Sequence, residues 1–406
     1  MPINRRYASS TLVSSSFVNL VKRYIVIIII MGLTVFGIGL VAVLALAAVA
    51  QAQTTSNVSI STSSVGGVYA PGDVMFEDNF DTLNLATWQH EITMSGGGNW
   101  EFQVYHNHRR NSYVRDGILY IKPSLTNDMY GENFVETGVL NLDGGSPADE
   151  CTNPSYYGCE RSGAGGNIIN PIMSARLRTL NSFSFTYGKV QVRAKIPSGD
   201  WLWPAIWMLP LRNQYGTWPQ SGEVDIMESR GNKKLFNSDG VNIGCEQVAS
   251  TLHFGPVWNM NGYEKATHAL NSAVDQGWNG DFHVYELEWT NTYLKFSVDG
   301  QLLGNVAPPA GGFWELGGFP DNVENPWVGA ENRLMAPFDQ PFYLMLNLAT
   351  GGTNGYFPDN VTPAKPWRND GGNAFADFWG ARNAWYPTWN GEDSAMQVDY
   401  VRVTAV

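Results

Sequence analysis

The sequence predicts an all-β protein built as one large antiparallel sandwich, and three observations carry that expectation. Charged residues make up only 15% of the 406-residue chain, while 43 glycines and a 13% aromatic content suit strands and turns better than packed helices. Short alternating or β-branched runs recur, separated by Gly, Pro, Asn or Asp. Beyond the N-terminal region no stretch keeps a 3.6-residue apolar period over four turns.

Taken from the start of the chain, residues 1–24 form a basic segment with Arg5, Arg6, Lys22 and Arg23 and no acid. Residues 25–52 continue as an uncharged apolar run that ends in AAVAQA. That pattern describes a signal peptide with cleavage after Ala50 or Ala52. Ile25 to Ala50 as a helix would nevertheless reach roughly 39 Å, more than the roughly 30 Å of membrane hydrocarbon, whereas a signal core needs only about 7–15 residues. An uncleaved type II anchor is the rival. Both readings place the remainder outside the cell, secreted or tethered, because the basic flank stays cytoplasmic.

Residues 53–70 (QTTSNVSISTSSVGGVYA) are Ser/Thr-rich and uncharged, which predicts a flexible linker. Asn57 and Asn360 sit in glycosylation sequons. Cys151 and Cys159, eight positions apart in a polar loop, would close a small disulfide in an oxidising compartment, leaving Cys245 as a buried thiol.

From residue 71 to 406 no composition break divides the chain, so a single domain is expected. Its strand candidates include Gly117–Pro123, Gly188–Ile196, His283–Trp289, Tyr293–Val298, Phe342–Leu348 and Gln397–Val403. Asp299-Gly300, between two of these, is a hairpin signal. Most of the fifteen tryptophans are expected in the core, although an indole also suits the apolar face of a sugar ring. The formal charge is −12, and it is more negative still without the basic N-terminus. Such a surface repels phosphate backbones and argues against a nucleic-acid partner, while a neutral polysaccharide meets no penalty.

The segment SGEVDIMESRG (221–231) concentrates acids among apolar residues. Alternation in a regular strand puts Glu223 and Asp225 on one face and Glu228 on the other. All three share a face only if a residue between Asp225 and Glu228 is bulged, and bulges are common beside active sites. Three close carboxyls would raise at least one pKa, giving the protonated and ionised pair that glycosidic cleavage uses. Five positions separate the two glutamate backbones by more than about 13 Å, so the side chains must lean inward to reach the roughly 5–5.5 Å of retaining hydrolysis. Solvated acids on an edge strand, or an acidic cluster around a cation, are the alternative readings.

GEVDIMESRG resembles the active-site strand of glycoside hydrolase family sixteen, in its laminarinase-type branch. SARLRTLNSFSFTYGKVQVRAKIPSGDWLWPAIWMLP (174–210), STLHFGP (250–256), FHVYELEWT (282–290), PFDQPFYLMLNLATGGTNGYFPD (337–359) and VDYVRV (398–403) extend the likeness in order to the C-terminus. The resemblance implies a jelly-roll sandwich of two curved antiparallel sheets with an open cleft, and retaining endo-hydrolysis of β-1,3-glucan by a monomer. It makes Glu223 the nucleophile, Glu228 the acid/base and Asp225 the auxiliary acid. Trp203 and Trp207 would be cleft tryptophans, with Asn99, Arg176 and His253 hydrogen-bonding sugar hydroxyls. No cofactor is required. The family often holds a structural calcium, for which Asp399 is a candidate ligand, but no spacing here shows a metal site and none is assigned. A non-catalytic β-1,3-glucan recognition protein and a wall-remodelling transglycosylase are the other functions this likeness allows.

Overall fold

Alternation of inward and outward residues organises the chain into two stacked antiparallel sheets. In the computed structural model, which describes residues 59–143 and 150–406, strand Gly188–Lys195 alternates buried and half-buried positions over its whole length. It is central to an eight-stranded sheet, between His283–Trp289 and Met396–Thr404. Leu294–Val298 and Gln301–Val306 continue that sheet on one side, and Ile118–Ile121 and Ser112–Arg115 on the other. The Asp299-Gly300 turn has positive φ at both residues (50° and 77°), as a tight two-residue hairpin requires.

The facing ten-stranded sheet runs Thr267–Asn271, Gln247–His253, Glu223–Ser229, Leu202–Pro210 and Phe342–Thr350, with Arg176–Arg178 against the last of these. Neither sheet closes into a barrel. Phe185, Val190, Ile206, Leu287, Trp289 and Leu346 meet between the sheets with almost no exposure. Each such side chain contributes about 1.5–3 kcal/mol on burial. A second cluster under one end of the sandwich packs Trp201, Trp203, Phe357, Trp367, Phe378 and Trp385. Nine of the fifteen tryptophans are buried, in line with the core role expected for most of them.

The linker expectation needs correction. The fold takes in the chain from Ser59: Thr62–Ser63 pairs with Phe185–Thr186, Ser61 Oγ accepts the Val406 amide at 3.0 Å, and Ser59 Oγ accepts the Asn291 amide at 2.8 Å. Hydroxyls that look like solvent-loving linker chemistry in the sequence act here as acceptors for backbone donors at a sheet edge. The basic segment, the apolar run, residues 53–58 and Asn57 lie outside the described residues. Among the described residues no helix is long and apolar enough to cross a membrane. Cys151 and Cys159 are joined by a disulfide, and Cys245 is a buried free thiol. Asn360 is exposed. Asp399 pairs with Arg193 through one carboxylate oxygen.

Candidate functional site

The acid strand, Glu223–Ser229, breaks register between Asp225 and Glu228. On one side Ile206 faces Met227 and Trp207 faces Asp225, so Ile226 has no opposite number. On the other side Asp225 faces Thr251 and Glu228 faces Ala249, leaving Ser250 opposite two residues. Ile226 and Met227 both enter the core. Glu228 thereby joins Glu223 and Asp225 on the open face, as the alternation argument demanded. The carbonyl freed by the bulge, Ile226 O, accepts the fully buried Ser250 hydroxyl at 2.7 Å. That contact satisfies an acceptor that would otherwise be orphaned.

Register also shows what shares the face. One row across the strands runs Arg176, Asn347, Ala205, Glu228 and Ala249; the next runs Arg178, Met345, Trp207, Asp225 and Thr251. The acids therefore sit midway along a cleft that crosses the strands.

Each glutamate has its own donor. Trp203 Nε1 donates to Glu228 Oε1 at 2.9 Å, and Trp218 Nε1 donates to Glu223 Oε2 at 2.8 Å. Burial, and then the charge of Asp225, push the Glu228 carboxyl above its ordinary range despite His253, Trp203 and Arg230. Burial and then Glu223 raise Asp225. Burial also raises Glu223, against opposing contributions from His253, the Trp218 indole and Arg176.

His253 stands opposite Glu223. Its Nε2 lies 3.2 Å from Asp225 Oδ2 and 3.9 Å from Glu223 Oε1. The approach to Asp225 is too poorly aligned for a hydrogen bond, so Oδ2 is left buried and unsatisfied. Asn261 orients the ring. Its Oδ1 accepts the backbone amides of Tyr263 and Phe254 at 3.2 and 3.3 Å, which turns Nδ2 toward His253 Nδ1 at 2.7 Å. Two backbone donors require oxygen on that side of the amide, so Nδ1 accepts and the ring proton sits on Nε2. Burial opposes the imidazolium, whereas the acids favour it and take its pKa to about 9. The Asn261 amide sides with burial, because a proton on Nδ1 would face its NH2, whereas Nε2 carries a proton in either charge state. Glu223, Asp225 and His253 are close enough to surround a cation, but this tautomer presents a proton rather than a lone pair to the acids.

The remaining sequence candidates form the walls and floor. Trp203 is buried and stacked on Tyr356 at 3.8 Å and 5°, with Arg230 over the same tyrosine ring at 4.0 Å. Trp207 lies 5.1 Å from the Arg176 guanidinium and donates Nε1 to Asn347 Oδ1 at 2.6 Å. Arg176 is buried; Nη1 donates to Glu91 at 3.1 Å and Nη2 to Tyr105 Oη at 3.3 Å, while Nε has no acceptor. Asn99 Nδ2 donates to buried Glu101 at 3.0 Å, and Glu101 lies 3.7 Å from Arg176. Asn99 and Arg176 thus meet in one network at one end of the cleft. Sequence reasoning missed Trp218, Asn261, Tyr263 and Tyr356. Tyr263 stacks on His253 at 5.5 Å. Trp218, Asn261 and Tyr356 lie in loops and Tyr263 in a short 3-10 turn, Gly262–Lys265, where no periodicity marks a residue that folding brings to a site.

The arrangement is a jelly-roll sandwich whose open cleft carries three acids on a bulged strand. The family model "Glycosyl hydrolases family 16" matches residues 168–321. A β-1,3-glucan-binding protein of Penaeus monodon is 53% identical over 81% of this chain and 89% of its own. The chain belongs to glycosyl hydrolase family 16. It is also 31% identical to glucan endo-1,3-beta-glucosidase A1 of Niallia circulans, over 85% of this chain and 39% of that protein. The endo-β-1,3-glucanase structure from Pyrococcus furiosus matches the fold with a TM-score of 0.52 at 23% identity, covering 82% of this chain and 94% of that one.

Proposed function

We propose that the protein is a retaining endo-hydrolase of β-1,3-glucan. The observation that carries this reading is the bulge, which sets Glu223, Asp225 and Glu228 on one cleft face while burial and Asp225 keep Glu228 proton-bearing. A Glu223 oxygen attacks the anomeric carbon as the bond to the leaving oxygen breaks, and Glu228 gives its proton to that oxygen. Glu228 then takes a proton from water, the water oxygen bonds to the anomeric carbon, and Glu223 departs. Two inversions retain the anomeric configuration. The Trp218 indole and the charge of His253 favour the ionised form of Glu223. Asp225, buried beside it, raises Glu228 and lies 3.2 Å from His253 Nε2. A sugar hydroxyl in place of water would give transglycosylation from the same intermediate. No metal takes part in these steps.

The substrate is a neutral polysaccharide, which suits a chain of net charge −12. Export is part of the proposal, supported by the apolar run at 25–52 and by the Cys151–Cys159 disulfide, a bond of oxidising compartments. The names of several relatives favour a second reading, glucan recognition without turnover. Purified protein incubated with laminarin decides between them: release of reducing ends, lost in Glu223→Gln and Glu228→Gln, supports hydrolysis. Binding of laminarin with no reducing ends released supports recognition.

A further inference from the structure

A cavity of about 610 Å³ opens near the Asn99 end of the cleft, and none of the three acids lines it. Trp100 and Tyr157 form one part of its wall, and the segment from Gly371 to Ala376 another. Thr353, also in the wall, is tied to the cleft end by its amide, which donates to Asn99 O at 2.8 Å.

Three backbone positions in and beside this wall are expensive. Trp100, Tyr156 and Tyr157 have φ of 53°, 54° and 59°, the left-handed region that costs a bulky L residue about 1–2 kcal/mol. The surrounding structure holds them there. Arg161 donates Nε to Tyr157 O at 3.3 Å and Nη2 to Tyr156 O and Met94 O at 2.9 and 2.8 Å. Its Nη1 donates to Asn170 at 2.7 Å, and the Cys151–Cys159 disulfide closes the same loop. Trp100 rests edge-on against Tyr156 at 5.8 Å.

The rings so held are left in water: Trp100 is 39% exposed, Tyr156 52% and Tyr157 75%. Core packing therefore does not account for the arrangement. Asn167, Asn373, Ser162 and Thr353 line the same cavity, and no described residue takes the hydrogen-bonding groups of their side chains. The Arg161 donors point at protein oxygens, so its charge is not offered to an anion. Exposed aromatic faces beside uncommitted amides and hydroxyls match a neutral sugar, with apolar C–H faces and a rim of hydroxyls.

We propose that this cavity is a second glucan-binding site, which holds a part of the polymer lying beyond the cleft. The inference rests on the glucan reading of the cleft and adds a separate anchorage to it. Tyr157 and Trp100 stack on sugar rings, and the amides of Asn167 and Asn373 hydrogen-bond their hydroxyls. The test uses the full chain as wild type, Tyr157→Ala, Trp100→Ala and Tyr157→Phe, with laminarin and laminaritriose as probes. Affinity electrophoresis reports the polymer and titration calorimetry the trisaccharide, and urea unfolding midpoints verify the fold. Each alanine variant is expected to weaken laminarin binding by about fivefold or more, the scale of one aromatic contact, with a change of less than about twofold for laminaritriose. Tyr157→Phe keeps the ring and the affinity. Undiminished laminarin binding in both alanine variants overturns the second site, as does an equal loss on both probes. A wild-type protein that binds neither probe overturns the glucan reading itself.

Discussion

The bulge in the acid strand hangs on a single side-chain contact, and Ser250→Ala tests it. Ser250 is fully buried and its hydroxyl donates to Ile226 O at 2.7 Å. Removing the hydroxyl leaves a buried carbonyl without that donor, a loss of about 1–3 kcal/mol, and almost no cavity. Urea unfolding should register that loss directly. The catalytic effect should exceed the thermodynamic one, because Glu228 follows Ile226 by two residues and moves with any relaxation of the bulge. A displacement near 1 Å at a catalytic group costs on the order of 10²-fold in rate. Laminarin turnover is therefore expected to fall about 10- to 100-fold in kcat with little change in KM, and Ser250→Thr should keep most of both properties. Stability within about 0.5 kcal/mol of wild type, together with unchanged kcat, would refute the idea that this hydroxyl holds the bulge.

Four further outcomes follow from the same geometry. Glu223→Gln and Glu228→Gln should each lower reducing-end release from laminarin by at least about 10³-fold, and Asp225→Asn by less, since Asp225 acts through its neighbours. Trp203→Phe removes the donor that favours ionised Glu228, so the Glu228 pKa rises further and the alkaline limb of the pH–rate profile should move to higher pH; a downward shift would contradict the acid role. Asn261→Asp keeps the acceptor for two backbone amides but replaces the donor to His253 by an acceptor, so nitrogen NMR should show the ring proton pattern change at Nδ1 while the unfolding midpoint holds. Burial raises Asp339 from 3.8 to about 6, so the folded form binds more protons than the unfolded chain in that window, and stability falls as pH rises through it. Asp339→Asn should then add about 1–2 kcal/mol at pH 7, after discount for partial exposure, and nothing at pH 3.5.

The strands and the acids were legible because both depend on alternation, a local property. Gly188–Lys195, His283–Trp289 and Leu294–Val298 appear within a residue of where their patterns put them. The same rule exposed the conflict at Glu228 and required the irregularity that the register shows between Asp225 and Glu228. Residues 59–70 were misread because composition reports the absence of apolar side chains but not the backbone donors waiting at a distant sheet edge. Trp218 and Asn261 were invisible for a related reason. Each acts through one polar atom delivered by a loop, and neither the spacing nor the type of the residue records where that loop closes.

The extra residue at Ile226 also reverses a counting frame. Before it, even-numbered positions such as Val224 point inward and odd-numbered Asp225 points out; after it, odd Met227 is inside and even Glu228 outside. A one-residue deletion between Asp225 and Glu228 would therefore remove the bulge and restore regular alternation, leaving the three carboxylates on the open face with one inward residue fewer beneath them. Point substitutions can vary what the two inward residues are, so long as they are apolar, whereas one further residue inserted beside them would turn Glu228 toward the interior. The bulge thus lodges one apolar residue more than alternation needs without moving the acids off their shared face.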